Sequence, residues 1–230
     1  MRLAMNPLYR LFLFCLLMAL LPVSCQSVRQ KRILAYEQLS ELEQKGIILV
    51  RLKQMANKLK AIEEAGKGER AEKLEGEVLN RQARMLTMFR AHFTFCPVYF
   101  FFADQSGALR DGHWDRVTFL DVEGDYVDGD SLYGRPYLVA EFGRVYETQI
   151  LESNPEGEER FSAGMAGKDG LVLKDSNFVQ LEDPYPYKFF QWKPEKAVMA
   201  MDQSLHDYLR KQEDKKYMMQ YLLEQSKNTD

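Results

Sequence analysis

The residue types best suited to chemistry are concentrated in an acidic run between positions 121 and 130. Five carboxylates occur within ten residues, at Asp121, Glu123, Asp125, Asp128 and Asp130. Oxygen ligands at alternating positions of a loop are what Ca²⁺ requires. The run departs from the EF-hand pattern, since a loop starting at Asp121 has Tyr126 where that motif has glycine and Leu132 where it has a bidentate glutamate. The run is therefore interpreted either as a metal site, for calcium or for a metal-dependent enzyme, or as a solvated acidic turn.

Other reactive side chains are few. The three cysteines are Cys15, Cys25 and Cys96. Cys96 precedes Pro97 at the start of an apolar run, which is more typical of an inert buried thiol than of a nucleophile, because reactive thiols need exposure and a positive neighbourhood. The chain has no Gly-rich phosphate loop, HExxH or GxSxG motif. The sequence therefore predicts no catalytic residue and no cofactor, and it favours a protein that is not an enzyme.

A block of aromatic residues near the end of the chain is the second candidate site. Tyr185, Tyr187 and Trp192 alternate with prolines and lysines. Exposed aromatic rings with a polar group make recognition surfaces, and such a surface would suit an envelope protein or a glycan. The alternative is that these rings cover the sheet edge and pack on the C-terminal helix.

The first 25 residues have the features of a signal peptide. Arg2 and Arg10 precede an uncharged run over residues 11–23, which a polar segment follows. A membrane-spanning helix needs about 20 apolar residues, so this run is too short to be a permanent anchor. The sequence therefore predicts export, to the periplasm, to the cell surface or out of the cell.

Two ways of processing this leader remain open. The segment Leu21–Cys25 resembles the lipobox of bacterial lipoproteins, in which the cysteine becomes the lipidated first residue. Ser24 fits that pattern, but Pro22 stands where the lipobox usually has leucine. Ordinary cleavage next to Gln26 is the alternative. In the first case Cys25 is a lipidation site, and a lipid anchor there is the only membrane contact that the sequence predicts.

The composition is that of a globular domain. The chain has 230 residues, of which 46% are hydrophobic and 28% charged, with 31 Lys and Arg against 34 Asp and Glu. These values exclude a collagen, a disordered chain and a multi-span membrane protein. A formal net charge of −3 also lacks the basic face that phosphate backbones require. Nucleic acid is therefore not an expected partner.

The first half of the chain reads as mainly helical. Apolar residues at helical spacing predict a helix from Val28 to Gln44, which Gly46 ends. The β-branched run at 47–52 predicts a buried strand, the alternative being one long helix that passes through Gly46. Two amphipathic helices at 53–65 and 69–93 then form a helical hairpin.

The second half is rich in strands. The continuous apolar run at 98–103 predicts a central strand with both faces covered. Further strands are predicted at 116–122, 137–142, 171–173 and 178–181, the last two as a hairpin. Pro194 begins a final helix that runs to about residue 225.

This order predicts an α+β protein with a mixed β-sheet, an N-terminal helical hairpin and a long C-terminal helix. Residues 26–230 are predicted to form a single domain, mainly helical over 26–95 apart from the strand at 47–52, strand-rich over 96–182, with the C-terminal helix at 194–226. If the first two strands are parallel, the topology is faintly similar to the thioredoxin fold. The Cys-x-x-Cys of that family is absent, because Lys53–Ala56 stands at its place, so any such module would be redox-inactive.

The blocks Phe95–Phe102 and Phe178–Tyr187 resemble those of an uncharacterised family of exported bacterial proteins. That resemblance implies export and brings no activity with it. The expected function is that of an exported bacterial envelope protein, a non-catalytic binding or structural component. The alternatives are a metal-dependent enzyme or calcium-binding protein that uses the acidic run, and a redox-inactive thioredoxin-like module.

Overall fold

The structure is a computed structural model that describes residues 30–145, 168–190 and 193–227. The predicted signal peptide, Cys25 and Trp192 lie outside the described residues. In the described part of the chain, no helix is both long enough and apolar enough to cross a lipid bilayer.

A mixed seven-stranded sheet of the described residues forms the centre of the molecule, in the order β4-β3-β2-β1-β5-β6-β7. The strands are β1 Ile47–Leu52, β2 Val98–Phe102, β3 Phe119–Leu120, β4 Tyr126–Val127, β5 Tyr137–Val145, β6 Lys168–Lys174 and β7 Lys188–Phe189. Strand β1 is parallel to both of its neighbours, β2 and β5, and every other pairing is antiparallel. The predicted mixed sheet is confirmed, and the first two strands, whose relative direction the sequence left open, are parallel.

Five helices surround this sheet in the described residues. They are α1 over residues 30–45, α2 Ala56–Glu64, α3 Gly68–His92, α4 Ser106–Arg110 and α5 Pro194–Lys227. The hairpin of α2 and α3 and the long α5 confirm the predicted α+β class.

Gly46 makes the abrupt change from helix to strand. Its N–H donates to the carbonyl oxygen of Leu42 at 2.9 Å, which closes the last turn of α1. A Cβ at this position would lie 2.6 Å from the Cα of Leu42, so no larger residue fits without moving the backbone. The predicted helix stop is confirmed, and the alternative of one long helix is wrong.

The two faces of the sheet carry separate cores, because side chains alternate along each strand. Phe100 points to the face that α1, α3 and α5 cover, where its ring meets Phe89 edge-on at 5.8 Å. Phe101 points to the opposite face, which α4 and the loops after β2 cover, and its ring lies 6.1 Å from that of Phe178. The apolar strand therefore has both faces covered, as predicted.

Two strand predictions need correction. The strand expected at 116–122 is reduced to Phe119–Leu120, because Trp114–Arg116 form a 3₁₀ turn that stacks Trp114 on Phe119 at 5.4 Å. The hairpin expected between 171–173 and 178–181 is reduced to one bridge, Lys174 with Gln180.

Asp175 is the reason that no second strand forms there. Its Oδ1 accepts hydrogen bonds from the backbone N–H groups of Asn177 and Val179, both at 2.9 Å. Phe178 between them adopts a left-handed conformation with φ 64°. The chain therefore turns locally, and β7 pairs with β6 instead.

Candidate ligand-binding site

Glu141 on β5 is the one buried charged side chain among the described residues, at 6% exposure. It follows Ala140, which pairs with Val50 of β1, so Glu141 and Arg51 stand side by side on the same face of the sheet. A buried carboxylate must be paired and hydrogen-bonded. Its partners therefore define a site.

Three cations surround this carboxylate. Oε2 of Glu141 lies 2.8 Å from Nζ of Lys174 and 3.1 Å from Nη1 of Arg51, and Oε1 lies 3.5 Å from Nζ of Lys53. Three positive charges against one negative leave an excess of two. We name these four residues the Glu141 cluster.

Arg51 is held in place by groups from a neighbouring strand end. Its Nε donates to Oγ of Ser106 at 2.9 Å, and Nη2 donates to the carbonyl oxygen of Ala103 at 3.4 Å. Ala103 directly follows β2, and Ser106 is the first residue of α4. The guanidinium also lies 5.8 Å from the ring centre of Phe178, within range of a cation–π contact. The guanidinium is thus fixed before any ligand arrives.

The cations keep Glu141 ionised. Burial alone would raise the pKa of Glu141, but the hydrogen bond and charge of Lys174 and the charge and hydrogen bond of Arg51 outweigh it. The pKa of this carboxyl is therefore below its ordinary value, and the group carries no proton to donate near neutral pH.

The Glu141 cluster lies at the carboxyl ends of parallel strands. The chain leaves β1 for β2 on one side, and β5 is added later on the other side, so the strand order reverses between β1 and β5. Open sheets with parallel strands bind ligands outside the carboxyl ends at such a point. Arg51 and Glu141 sit on these two strands.

Solvent reaches the cations but hardly the carboxylate. The side chains of Lys174, Arg51 and Lys53 are 22%, 26% and 46% exposed, against 8% for the Glu141 side chain. Two residues after Glu141 on the same face of β5, Gly143 presents no side chain, and a Cβ there would lie 3.6 Å from both Glu141 Oε1 and Lys53 Nζ. This arrangement leaves cationic N–H groups accessible and can bind an anion.

The acidic run has a different role in the described structure. Asp121 Oδ1 accepts from the backbone N–H groups of Glu123 and Asp125 at 2.9 and 3.0 Å, and Asp128 Oδ1 accepts from that of Asp130 at 3.1 Å. Glu123 pairs with an arginine of α3. Across the described ranges, no three His, Cys, Asp or Glu side chains come close enough together to hold a metal ion. These contacts stabilise turns and give the metal interpretation no support.

The predicted aromatic surface is only partly described. Tyr187 is buried, and Tyr185 is half-buried with its hydroxyl donating to Gln38 Oε1 at 2.6 Å. Both rings pack with the core between the sheet and the helices. This placement matches the alternative in which the rings cover the sheet, while Trp192 lies outside the described residues.

Cys96 is a free, buried thiol. Burial raises its pKa to about 12, although the charge of Arg135 opposes that shift. We expect Cys96 not to react with a water-soluble disulfide reagent at pH 8 in the folded protein, and to react once the chain is unfolded in guanidinium. The number of reacted thiols is compared with that of the Cys96→Ser variant, so that any reaction of Cys15 and Cys25 is subtracted. A folded parent that reacts more than Cys96→Ser at pH 8 would contradict the expectation.

The Glu141 cluster was absent from the sequence-based candidates, although a signal existed. Arg51 is the one charge within the apolar run 47–52, and Glu141 is the one charge within the predicted strand 137–142. Burying an unpaired charge costs so much free energy that opposite charges on two buried strands are expected to pair with each other. Their pairing follows once the strands are neighbours.

The chain matches no protein-family model, no curated protein sequence and no solved structure.

Proposed function

We propose that the chain is an exported, non-catalytic binding protein of the bacterial cell envelope, and that the Glu141 cluster binds an anionic group. The observation that carries this proposal is the ratio of charges, three cations around one buried carboxylate at the carboxyl ends of parallel strands. The ligand group is a carboxylate or a phosphate, free or carried by a larger envelope molecule.

The unequal charge favours an anion over a neutral ligand. A single cation would neutralise Glu141, and burying further cations beside it costs free energy unless they have another partner. Each lysine Nζ has three N–H donors and the Arg51 guanidinium five, more than Glu141 and the neighbouring carbonyls accept among the described residues. Oxygen atoms of a carboxylate or phosphate match these donors in charge and geometry.

Two observations favour binding over catalysis. Glu141 is held ionised, so it is a poor proton donor, and the thiol of Cys96 is protonated and buried, so it is a poor nucleophile. The proposal of export rests on the leader at residues 1–25. The metal-dependent and thioredoxin-like alternatives stay predictions, because no described contact favours either of them.

Titration calorimetry with inorganic phosphate and with citrate tests the site. We expect Lys53→Met to weaken binding about tenfold, because one charge-assisted hydrogen bond to the anion is lost. Lys53 is the most exposed of the three cations, so the variant should remain folded. Lys60→Met is the matched control, since Lys60 is an exposed lysine of α2 outside the cluster.

Equal affinity of the parent and Lys53→Met, or no heat of binding with either anion, would contradict the proposed site. A circular dichroism melt of each variant separates loss of the site from loss of the fold.

A further inference from the structure

The first turns of α1 expose two large apolar side chains. Ile33 is 46% exposed and Leu34 61%, whereas Ala35, Leu39 and Leu42 are buried in the core. Helix α1 thus packs by one face and leaves another apolar pair in water. Lys31 and Arg32 precede this pair, and both are exposed.

The position of this turn, close to Cys25 in the sequence, indicates that its partner is a membrane surface. The described part of helix α1 starts at residue 30, five residue steps after Cys25. A fully extended chain spans at most about 3.6 Å per residue, which puts residue 30 within about 18 Å of Cys25. A lipid on Cys25 would therefore hold this turn close to the membrane surface.

The local charge suits an anionic bilayer. Between Gln26 and Tyr36 the sequence has three cations, Arg29, Lys31 and Arg32, and no acidic residue, although the whole chain has a net charge of −3. Basic residues beside exposed apolar ones are the composition of segments that lie in a membrane interface. A second copy of the same turn would instead bring like charges together.

We propose that residues 31–34 form a membrane-docking turn, in which Ile33 and Leu34 enter the interface while Lys31 and Arg32 bind anionic lipid headgroups. This inference rests on the proposed export. If Cys25 is lipidated, the turn adds a second contact to the lipid anchor and fixes how the domain faces the bilayer.

Sedimentation with lipid vesicles tests the turn without the anchor. The protein is the processed chain from Gln26, which is unlipidated and contains every described residue. We expect it to bind vesicles of phosphatidylglycerol and phosphatidylethanolamine, and to bind phosphatidylcholine vesicles at least tenfold less. The double variant Ile33→Glu/Leu34→Glu should lower the bound fraction on anionic vesicles at least tenfold. Leu79→Glu is the matched control, since Leu79 is 58% exposed on α3, and its binding should equal that of the parent.

The inference is overturned if the parent does not bind anionic vesicles or if neutral vesicles bind it equally well. It is also overturned if the double variant Ile33→Glu/Leu34→Glu binds like the parent. It is also overturned if the parent forms a dimer that the double variant loses while vesicles bind neither, because the turn then meets a second copy. The mass of the chain recovered from native membranes separately tests Cys25. If Cys25 is unmodified and the double variant Ile33→Glu/Leu34→Glu still loses vesicle binding, the lipid anchor is excluded and the docking turn is supported.

Discussion

Replacing Glu141 by glutamine is expected to lower the free energy of unfolding by about 3 kcal/mol at pH 7. Removing one partner of a buried ion pair costs about 3–5 kcal/mol, because the remaining charges are left uncompensated. The lower end applies here, since Arg51 and Lys174 are about a quarter exposed, at 26% and 22%. Urea denaturation followed by circular dichroism measures the change. Glu182→Gln is the control, because Glu182 is exposed, and it should change stability by less than about 0.5 kcal/mol.

The difference in stability between the parent and Glu141→Gln should depend on pH and become smaller in acid. The pKa of Glu141 is lowered in the folded state, so its stabilisation is fully present above the ordinary glutamate pKa and is lost as the pH falls through the folded value. Below that range the parent carboxyl is protonated and resembles the glutamine. The difference in unfolding free energy between parent and Glu141→Gln should therefore shrink between pH 7 and about pH 3. A difference that stays constant over this range would mean that the ionised carboxylate is not what stabilises the parent.

The contrast between the Glu141 cluster and the acidic run shows what can be read from this sequence. Strands β1 and β5 follow from continuous apolar residues and from the stop at Gly46, which are local patterns. The members of the cluster lie 90 and 33 residues apart, from Arg51 to Glu141 and from Glu141 to Lys174. No spacing motif connects them, and their meeting depends on the strand order. The acidic residues at 121–130 do have a regular spacing in the sequence, but Asp121 and Asp128 accept hydrogen bonds from backbone N–H groups of their own turns.

The hairpin error has a similar origin. Leu171–Leu173 and Phe178–Leu181 have the composition of strands, and Asp175 lies in the turn between them. The carboxylate of Asp175 holds two N–H groups of that turn, Asn177 and Val179, which keeps Phe178 in a left-handed conformation. Phe178 then packs against Phe101 and Arg51 instead of extending a strand. The composition of residues 178–181 predicts a strand, whereas the hydrogen bonds to the Asp175 carboxylate determine that the chain turns there instead.

Phe101→Ala is expected to cost about 4 kcal/mol of stability, since removing a fully buried phenylalanine ring costs about 3–5 kcal/mol. Phe101 is 0% exposed and is paired in register with Arg51 of β1. Its ring also supports Phe178, over which the Arg51 guanidinium lies. Loss of the ring should therefore loosen Arg51, and phosphate or citrate should bind at least several-fold more weakly at a temperature where the variant is folded.

Phe100→Ala is the matched control for that effect. Phe100 is the adjacent residue of β2, is also 0% exposed, and packs on the opposite face against Phe89. Its loss should lower stability by a similar amount, about 4 kcal/mol, and leave the affinity for the anion unchanged. Chemical denaturation gives both stabilities and calorimetry gives both affinities. Equal weakening of binding by the two variants would mean that general destabilisation, and not the support of Arg51 through Phe178, controls the site.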